Sequence, residues 1–142
     1  MYVHDILAAK GDRVVTITPD ATIHELAALL AAERIGAVIV QDQDDNVAGV
    51  ISERDVIGGM AKHGTGCVQM TVRNLMTEAV IYCSPDMAIE AVMDLMTERR
   101  VRHVPVVNSD RLVGIVSIGD VVKARIAQIE REAEDLRHYI SA

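Results

Sequence analysis

A serine followed three residues later by an aspartate occurs twice in this sequence, each time directly after an apolar segment. Ser52 and Asp55 lie in GVISERDVI, and Ser117 and Asp120 lie in the similar segment GIVSIGDVV. A Ser-x-x-Asp pair ahead of apolar residues predicts a capping box at the start of a helix. The same corner also suits a ligand, because the N–H groups of a helix start favour anions and a carboxylate accepts hydrogen bonds from a ribose. Both interpretations are kept, since one arrangement can satisfy both.

The two segments are parts of a longer internal repeat that covers most of the chain. Residues 18–57 align with residues 84–122, with a gap of a single residue. Each copy predicts a strand, a helix, two strands joined by a hairpin, and a second helix that starts at the serine. Thr18 and Ser84, which precede a Pro-Asp pair, are the predicted N-caps of the first helices. The predicted fold is therefore α/β (α+β), with two pseudo-symmetric β-α-β-β-α units that pack face to face as one module.

Apolar spacing places the predicted elements along the chain. The first strands are predicted at 14–17 and 79–83, and the hairpin strands at 37–41, 47–51, 103–107 and 112–116. After residue 120, apolar residues at spacings of three and four predict one long amphipathic helix from about 119 to 140. The predicted organisation is 1–62 for the first repeat, 63–71 for a linker, 72–124 for the second repeat and 125–142 for a helical tail.

The composition limits the classes of function. Half of the residues are apolar, but Trp and Phe are absent, so an aliphatic core is expected. The formal net charge of −7 argues against a general nucleic-acid-binding protein, which carries a basic face. The N-terminal segment is charged and has no long apolar run. Neither a signal peptide nor a membrane span is therefore predicted, and the cytoplasm is the expected location.

No catalytic or metal-binding pattern stands out. The sequence contains no G-x-G-x-x-G segment, no GxxxxGK[ST] phosphate loop and no H-E-x-x-H segment. Cys67 and Cys83 lack the spacing of a disulfide framework, and the sequence suggests no base that would make either a nucleophile. The segment GTG separates His63 from Cys67, which does not suit a metal pair on one helix face. The chain is therefore predicted not to be an enzyme and not to bind a metal.

Taken together and in order, these motifs resemble a tandem pair of cystathionine β-synthase (CBS) domains, which form a Bateman module. The resemblance covers about residues 3–123 and extends to the small stand-alone bacterial CBS-pair proteins, which have a similar helical tail. It is carried by Thr18-Pro19-Asp20, Ser84-Pro85-Asp86, Arg100-x-x-x-Val104-Pro105-Val106 and the two Ser-x-x-Asp segments with their preceding Gly and apolar residues.

The resemblance implies an adenosine-containing ligand in a cleft between the repeats, with no required cofactor. The implied candidates are AMP, ADP, ATP, NAD(H) and S-adenosylmethionine. In the family the motif aspartate holds the ribose hydroxyls, the motif serine lies beside the ribose and α-phosphate, and basic residues before the Pro-Val strand hold phosphate. The residues expected near ribose and phosphate are Ser52, Arg54, Asp55, Arg102, His103, Ser117, Gly119 and Asp120. The residues expected along the adenine are Val14, Val15, Ile35, Gly36, Ala37, Ala79, Val80 and Val101.

The two copies differ at these positions. The second copy has the basic run RRVRH where the first has ERIGA. Arg99 and Arg100 of this run also suit a solvated helix end, where cations are favourable. Inside the motifs, Arg54 is long enough to reach a phosphate, and Gly119 allows close approach by a ligand. We infer that the two pockets are not equivalent and that one of them prefers a more phosphorylated ligand.

Two functions are compatible with the sequence. The first is a regulatory module that binds an adenine nucleotide or dinucleotide and signals through changes in repeat packing or subunit contacts. Such a module is expected to be a homodimer, as in the family, with no nucleic-acid or membrane partner. The second is a ligand-free dimeric scaffold whose C-terminal helix binds an unidentified protein. Truncation after Lys123 distinguishes the two, because it removes the partner-binding helix of the scaffold and leaves the nucleotide-binding residues of the sensor.

Overall fold

The computed structural model describes residues 1–11, 13–78 and 81–141, and it shows the predicted mixture of helices and strands. The helices are α1 (Val3–Lys10), α2 (Ile23–Glu33), α3 (Glu53–His63), α4 (Val72–Leu75), α5 (Ile89–Arg99) and α6 (Ile118–Ser141), and a 3₁₀ helix spans Gly64–Gln69. The strands are β1 (Thr16–Ile17), β2 (Ala37–Gln41), β3 (Val47–Ser52), β4 (Thr77–Glu78), β5 (His103–Asn108) and β6 (Arg111–Ser117). The predicted long C-terminal helix is confirmed as α6.

The chain forms two compact units. The first-repeat unit comprises Val14–Ile81 with Asp110–Leu112. The second-repeat unit comprises Met1–Arg13, Tyr82–Ser109 and Val113–Ala142. The N-terminal helix α1 therefore belongs to the same compact unit as the second repeat, although it precedes the first repeat in the sequence.

A four-stranded sheet in the order β1-β2-β3-β4 organises the first-repeat unit. Strand β2 is parallel to β1 and antiparallel to β3, and β3 is antiparallel to β4. Ile51 near the end of β3 is fully buried, so packing fixes the strand immediately before Ser52. The aliphatic core of this unit comprises Ala21, Ile23, Leu26, Leu30, Val38, Val40, Ile51, Cys67 and Val72.

The hairpin of β5 and β6 organises the second-repeat unit. Cys83 pairs in parallel with Val106 of β5, at the position that β1 holds in the first repeat. The strand predicted at 79–83 is thus represented by a single bridge among the described residues, and Ala79 and Val80 lie outside them. In the first repeat, the strand predicted at 14–17 is shorter than expected, because β1 contains only Thr16 and Ile17.

The first helix of each repeat starts later than predicted. Helix α2 begins at Ile23, and its N-cap is Thr22, whose Oγ1 accepts a hydrogen bond from the backbone N of Glu25 at 3.1 Å. Helix α5 begins at Ile89. The prediction that Thr18 and Ser84 are N-caps is therefore wrong.

The Pro-Asp segments form turns instead of first helical turns. In the first repeat, the backbone N of Ala21 donates to the carbonyl of Thr18 at 3.3 Å. The same turn closes in the second repeat, where the backbone N of Met87 donates to the carbonyl of Ser84 at 3.1 Å. A short turn therefore separates each Pro-Asp pair from the helix that the pair was expected to open.

Each Pro-Asp turn contacts the short helix that precedes the other repeat. The backbone N of Arg73 in α4 donates to the carbonyl of Pro19 at 2.9 Å. Reciprocally, the backbone N of His4 in α1 donates to the carbonyl of Pro85 at 3.0 Å. The prolyl carbonyls accept N–H groups that a helix start leaves unpaired. This exchange explains why α1 packs with the second repeat and α4 with the first.

Helix α1 lies directly against β6 because Gly114 leaves room for it. A Cβ atom placed on Gly114 would lie 2.5 Å from Cδ2 of Leu7, so a larger residue there would force the Leu7 side chain to move. The packing brings the last residue of α1, Lys10, to the end of β6. There its Nζ donates a hydrogen bond to the carbonyl of Ile115 at 3.0 Å.

Candidate functional site

The first-repeat corner, formed by Ser52 and Asp55, is the capping box expected from the sequence. The backbone N of Ser52 donates to Oδ2 of Asp55 at 2.8 Å, and the backbone N of Asp55 donates to Oγ of Ser52 at 3.4 Å. The Ser52 hydroxyl also donates to Oδ2, at 3.1 Å. Both bonds to the Asp55 carboxylate use Oδ2, so within the described part of the chain Oδ1 of Asp55 keeps its capacity to accept hydrogen bonds from a ligand.

The second-repeat corner, formed by Ser117 and Asp120, repeats this geometry. The backbone N of Ser117 donates to Oδ2 of Asp120 at 2.9 Å, and the backbone N of Asp120 donates to Oγ of Ser117 at 3.1 Å. Both aspartates are half-buried. Each repeat thus ends its hairpin in a helix start that presents a serine, a carboxylate and a positive helix end.

Lys10 distinguishes the two corners. Its Nζ lies 2.8 Å from Oδ2 of Asp120 and forms a salt bridge with it. Among the residues that the structure describes, Asp55 has no salt bridge. Sequence reasoning missed Lys10, because Lys10 and Asp120 are 110 residues apart and no local pattern links them. The close packing of α1 on β6 is what places the ammonium group at the corner.

The environment of Asp120 changes the pKa of its carboxyl. Partial burial by itself raises this pKa, but hydrogen bonds from Lys10 and Ser117, together with the charge of Lys10, outweigh burial and lower it below the usual value. A carboxyl whose pKa is lower in the folded chain stabilises the fold above its unfolded-state pKa, about 3.9 for Asp. This contribution disappears as the pH falls through the folded-state pKa.

Replacement of Lys10 by Gln is expected to make the free energy of unfolding depend less on pH in the acidic range. At neutral pH the free energy of unfolding should fall by up to about 1 kcal/mol, because the ion pair is partly exposed. Variant and parent should converge as the pH falls from about 5 to about 2, where Asp120 becomes protonated in both. Urea unfolding at a series of pH values measures the difference.

Lys62→Gln is the matched control for this experiment. Lys62 is an exposed lysine near the end of α3 that makes no salt bridge among the described residues. Its replacement should leave the shape of the pH profile unchanged. If Lys10→Gln and Lys62→Gln gave the same profile, Lys10 would have no specific role in holding the Asp120 carboxylate.

The two helix starts are tied to equivalent positions of the repeats. The backbone N of Glu53 donates to the carbonyl of Gly36 at 2.9 Å, and the backbone N of Ile118 donates to the carbonyl of Arg102 at 2.8 Å. Gly36 and Arg102 occupy the same place in the alignment of the two copies. The structure therefore brings both of these predicted site residues next to their corners, with a glycine at one and an arginine at the other.

The first-repeat residues predicted along an adenine are only partly gathered. A shallow groove beside the start of α3 is lined by Ala27, Leu30, Ala31, Arg34, Ile35, Gly36, Glu53, Val56 and Ile57. The groove includes the predicted residues Ile35 and Gly36. Ala37, the first residue of β2, is buried and does not line it. Val14 and Val15 precede β1 and are half-buried, but they do not line this groove, and Arg54 is exposed on α3.

The second-repeat residues predicted near the ligand lie at the two ends of the β5–β6 hairpin. Val101 is half-buried, Arg102 is exposed, and His103 is half-buried at the start of β5. Gly119 is exposed in the first turn of α6. Ala79 and Val80, predicted on the adenine side, lie outside the described residues.

Arg99 and Arg100 occupy the helix end that the alternative interpretation assigned to them. Arg99 is the last residue of α5, and Arg100 is its C-cap, in the left-handed conformation with a φ of 55°. Arg34 holds the same position after α2, with a φ of 56°. All three side chains are exposed at the carbonyl end of a helix, where a positive charge is favourable.

Metal-ligating and thiol side chains are also present among the described residues. None of them form a group of three or more His, Cys, Asp and Glu side chains that could hold a metal ion. Cys67 and Cys83 are free and buried, and burial raises the pKa of the Cys83 thiol to about 11, which keeps it protonated at neutral pH. No helix within the described ranges has the length and apolar character needed to cross a bilayer.

Comparison with known proteins places the repeats in a family. The family model for the CBS domain matches the chain twice, at residues 3–62 and 72–127. The CBS domain-containing protein CBSX3, mitochondrial, from Arabidopsis thaliana is 30% identical over 146 residues, covering 97% of this chain and 71% of that protein. Two other relatives are much longer. The chain spans 32% of an uncharacterized 33.4 kDa protein from Thermofilum pendens and 25% of the inosine-5'-monophosphate dehydrogenase of Methanocaldococcus jannaschii.

Solved structures give the same result. The CBS-domain containing protein ATU1752 from Agrobacterium tumefaciens superposes with a TM-score of 0.83 at 46% identity, covering 87% of this chain and 92% of that chain. The CBS domain pair of protein MJ0100 superposes with a TM-score of 0.79 at 26% identity, covering 90% of this chain and 98% of that chain. The latter was solved in complex with methylthioadenosine and S-adenosyl-L-methionine.

Proposed function

Since the chain belongs to the CBS domain family, we propose that it is a regulatory module that binds an adenosine-containing ligand and signals its occupancy. The candidate ligands are AMP, ADP, ATP, NAD(H) and S-adenosylmethionine. The module works as a homodimer and transmits binding through a change of conformation or of subunit contacts, without catalysis. The cytoplasmic location stays a prediction from the sequence.

The duplicated helix-start corner is the observation that carries this proposal. At each corner a serine hydroxyl, a carboxylate and the positive end of a helix lie within one turn. A carboxylate is the acceptor that a ribose diol needs, and a helix start favours phosphate. Support also comes from MJ0100, a protein of the same fold that binds two adenosine derivatives. An adenosine-containing ligand combines the two chemical groups that each corner offers.

The two corners are proposed to have different ligand preferences. In both aspartates the hydrogen bonds within the described residues use Oδ2 and leave Oδ1 for a diol, but Oδ2 of Asp120 also binds the ammonium group of Lys10 at 2.8 Å. At the second-repeat corner Lys10 and Arg102 add positive charge, which favours a ligand with more phosphate groups. The first-repeat corner, with Gly36 in place of Arg102, suits the nucleoside part with fewer phosphates. This assignment gives the predicted inequality of the two pockets a structural cause.

A thermal-shift panel tests the proposal on the purified chain of 142 residues. The panel contains AMP, ADP, ATP, NAD⁺, NADH and S-adenosylmethionine, each with and without Mg²⁺. A ligand at about 100 times its Kd adds about 2.7 kcal/mol to the stability of the folded state, which is a rise in Tm of about 10 °C for a chain of this size. At least one of these ligands should raise the Tm, and no rise should require Mg²⁺ unless the ligand carries two or more phosphates.

Nucleotide retained during purification would mask the shift, so the protein is unfolded in urea, dialysed and refolded before the panel. Mass spectrometry of the urea extract identifies any ligand that was released. If no compound changes the Tm of the refolded protein, and no adenosine compound is released, the sensing function is wrong.

The exposed apolar residues of α6 favour one alternative, a ligand-free scaffold that acts through its C-terminal helix. Ile126, Ile129, Leu136 and Ile140 are each about half exposed or more. Truncation after Lys123 distinguishes the functions. A sensor keeps its ligand-induced rise in Tm after truncation, whereas a scaffold has no such rise and loses its protein partner.

A further inference from the structure

The outer half of α6 carries a continuous apolar stripe that the described residues leave exposed. Helix α6 contains 24 residues, Ile118–Ser141, and is therefore about 36 Å long. From position 129 to its end, every described residue of the helix is exposed. Apolar side chains nevertheless recur on one face, and their exposed fractions run from 42% at Val122 to 74% at Ile140.

The spacing of this stripe is that of a coiled coil. The stripe consists of Val122, Ile126, Ile129, Ala133, Leu136 and Ile140. Successive members alternate between separations of four and three residues, which places them at heptad positions d, a, d, a, d and a. A surface helix that packs on its own domain usually shows a wider stripe with a period of 3.6 residues. The narrow seam in α6 is instead the pattern of one helix that pairs with another helix of the same kind.

The charges beside the seam select the partner and its direction. Glu132 lies at position g and Arg137 at position e of the next heptad. In a parallel in-register pair, position g of one helix meets the following e of the other, so Glu132 faces the Arg137 of a second copy, twice by symmetry. Arg125 and Glu130 form the same g-to-e pair one heptad earlier, although Arg125 also contacts Glu90 within the chain at 3.1 Å.

Antiparallel pairing uses the seam less well. If all the apolar layers from Ile126 to Leu136 are kept, an antiparallel pair brings Glu130 against Glu130 and Glu132 against Glu132 of the second copy, and like charges repel. Sliding the helices by one heptad removes that repulsion, but it leaves either Ile126 or Leu136, depending on the direction, without an apolar partner. The parallel arrangement keeps every layer and gives each of these four charges an opposite neighbour.

We propose that the C-terminal half of α6 forms a parallel, in-register, two-stranded coiled coil with the same helix of a second copy of this chain. Leu136 at position d and Ile140 at the following position a form the combination that suits two-stranded parallel coils. The seam is only a few turns long, so this pairing adds to subunit contacts elsewhere and works through the high local concentration that they create. The coil does not require a bound ligand, so its failure and the failure of the sensing function are distinguishable.

Disulfide trapping in the untruncated chain of 142 residues tests the proposal. Ala133→Cys and Ile140→Cys each place a thiol at position a, where the parallel coil sets it against its own copy in the partner helix. Both native cysteines are buried, so the background of the parent chain is low. Mild oxidation without ligand should convert both variants to covalent dimers about tenfold faster than the control Glu134→Cys, whose exposed thiol lies at position b, outside the seam.

The three variants together identify the arrangement. Trapping at 133 without trapping at 140 would indicate antiparallel helices, because the two 140 thiols would then lie more than about 15 Å apart along the axis. Equal slow rates at 133, 134 and 140 would show that α6 does not pair with itself. Either result overturns the proposal.

The charge pair is tested in the Ala133→Cys background. Glu132→Arg should slow covalent dimer formation about tenfold, because it sets two Arg side chains against each other at each e–g contact. Adding Arg137→Glu should restore the rate, since the reversed pair is again attractive. Glu134→Arg changes the net charge by the same amount outside the seam and should have little effect. If Glu132→Arg and Glu134→Arg slow trapping equally, charge pairing does not set the direction of the helices.

Discussion

Replacing Asp55 and Asp120 together by Ala is expected to abolish the ligand-induced rise in Tm at ligand concentrations that stabilise the parent chain. Each carboxylate is proposed to hold a ribose diol, and a hydrogen bond to a charged group contributes about 1.5–3 kcal/mol. Loss of such bonds lowers affinity about ten- to hundredfold at each corner. Isothermal titration calorimetry with the ligand identified by thermal shift gives both affinities, and the single variants assign each to a corner.

The control must separate binding from helix capping, since both aspartates also cap helices. Asp5 provides it, because Oδ2 of Asp5 accepts a hydrogen bond from the backbone N of Tyr2 at 2.8 Å at the start of α1, as the carboxylates of Asp55 and Asp120 do from Ser52 and Ser117. Asp5→Ala should cost about 1 kcal/mol of stability, as loss of a cap does elsewhere, and leave the affinity unchanged. If the double variant binds as tightly as Asp5→Ala, neither carboxylate contacts the ligand.

Truncation of Ile51 to Ala is expected to be the most destabilising of these changes. Ile51 is fully buried in β3, between β2 and β4, and pairs with Val38 of β2. Removal of its outer methyl groups leaves a cavity in an aliphatic core, which costs about 2–5 kcal/mol. Ile51 immediately precedes Ser52, so the loss should also weaken ligand binding at the first-repeat corner. Urea unfolding measures the stability and calorimetry the affinity.

Ile51→Val is the graded comparison for this variant. It removes one methylene group and should cost about 0.5–1.5 kcal/mol, with little change in ligand affinity. A cost for Ile51→Ala no larger than that for Ile51→Val would mean that the core around β3 collapses onto the vacated space. Such a collapse would contradict the inference that the packing of Ile51 fixes the strand immediately before Ser52.

Local patterns in the sequence predicted the parts of the fold that depend on neighbouring residues. The two Ser-x-x-Asp segments form the expected corners, and the hairpin strands lie within one residue of their predicted bounds. The long helix after residue 120 also has its predicted extent, Ile118–Ser141. A capping box, a hairpin and an amphipathic helix are each determined by residues a few positions apart, so they can be recognised in a single sequence.

The start of α2 and α5 was mispredicted because distant contacts decide it. Pro and Asp favour a first helical turn locally, yet the carbonyl of Pro19 accepts a hydrogen bond from Arg73, and that of Pro85 accepts one from His4. Reciprocal docking of α1 and α4 holds the Pro-Asp segments as turns. Helix propensity is a weak preference that tertiary packing readily overrides.

The sequence by itself determined that this protein has two copies of one unit, each with a serine and an aspartate at a helix start, and a long amphipathic helix at its end. Only the tertiary structure decided that α1 joins the second repeat and that Lys10 forms a salt bridge with Asp120. Asp55 has no such partner among the described residues. The physical reason is the range of the interactions. A capping box is formed by residues three positions apart, so the local sequence predicts it. An ion pair between residues 110 positions apart depends on the path of the whole chain between them.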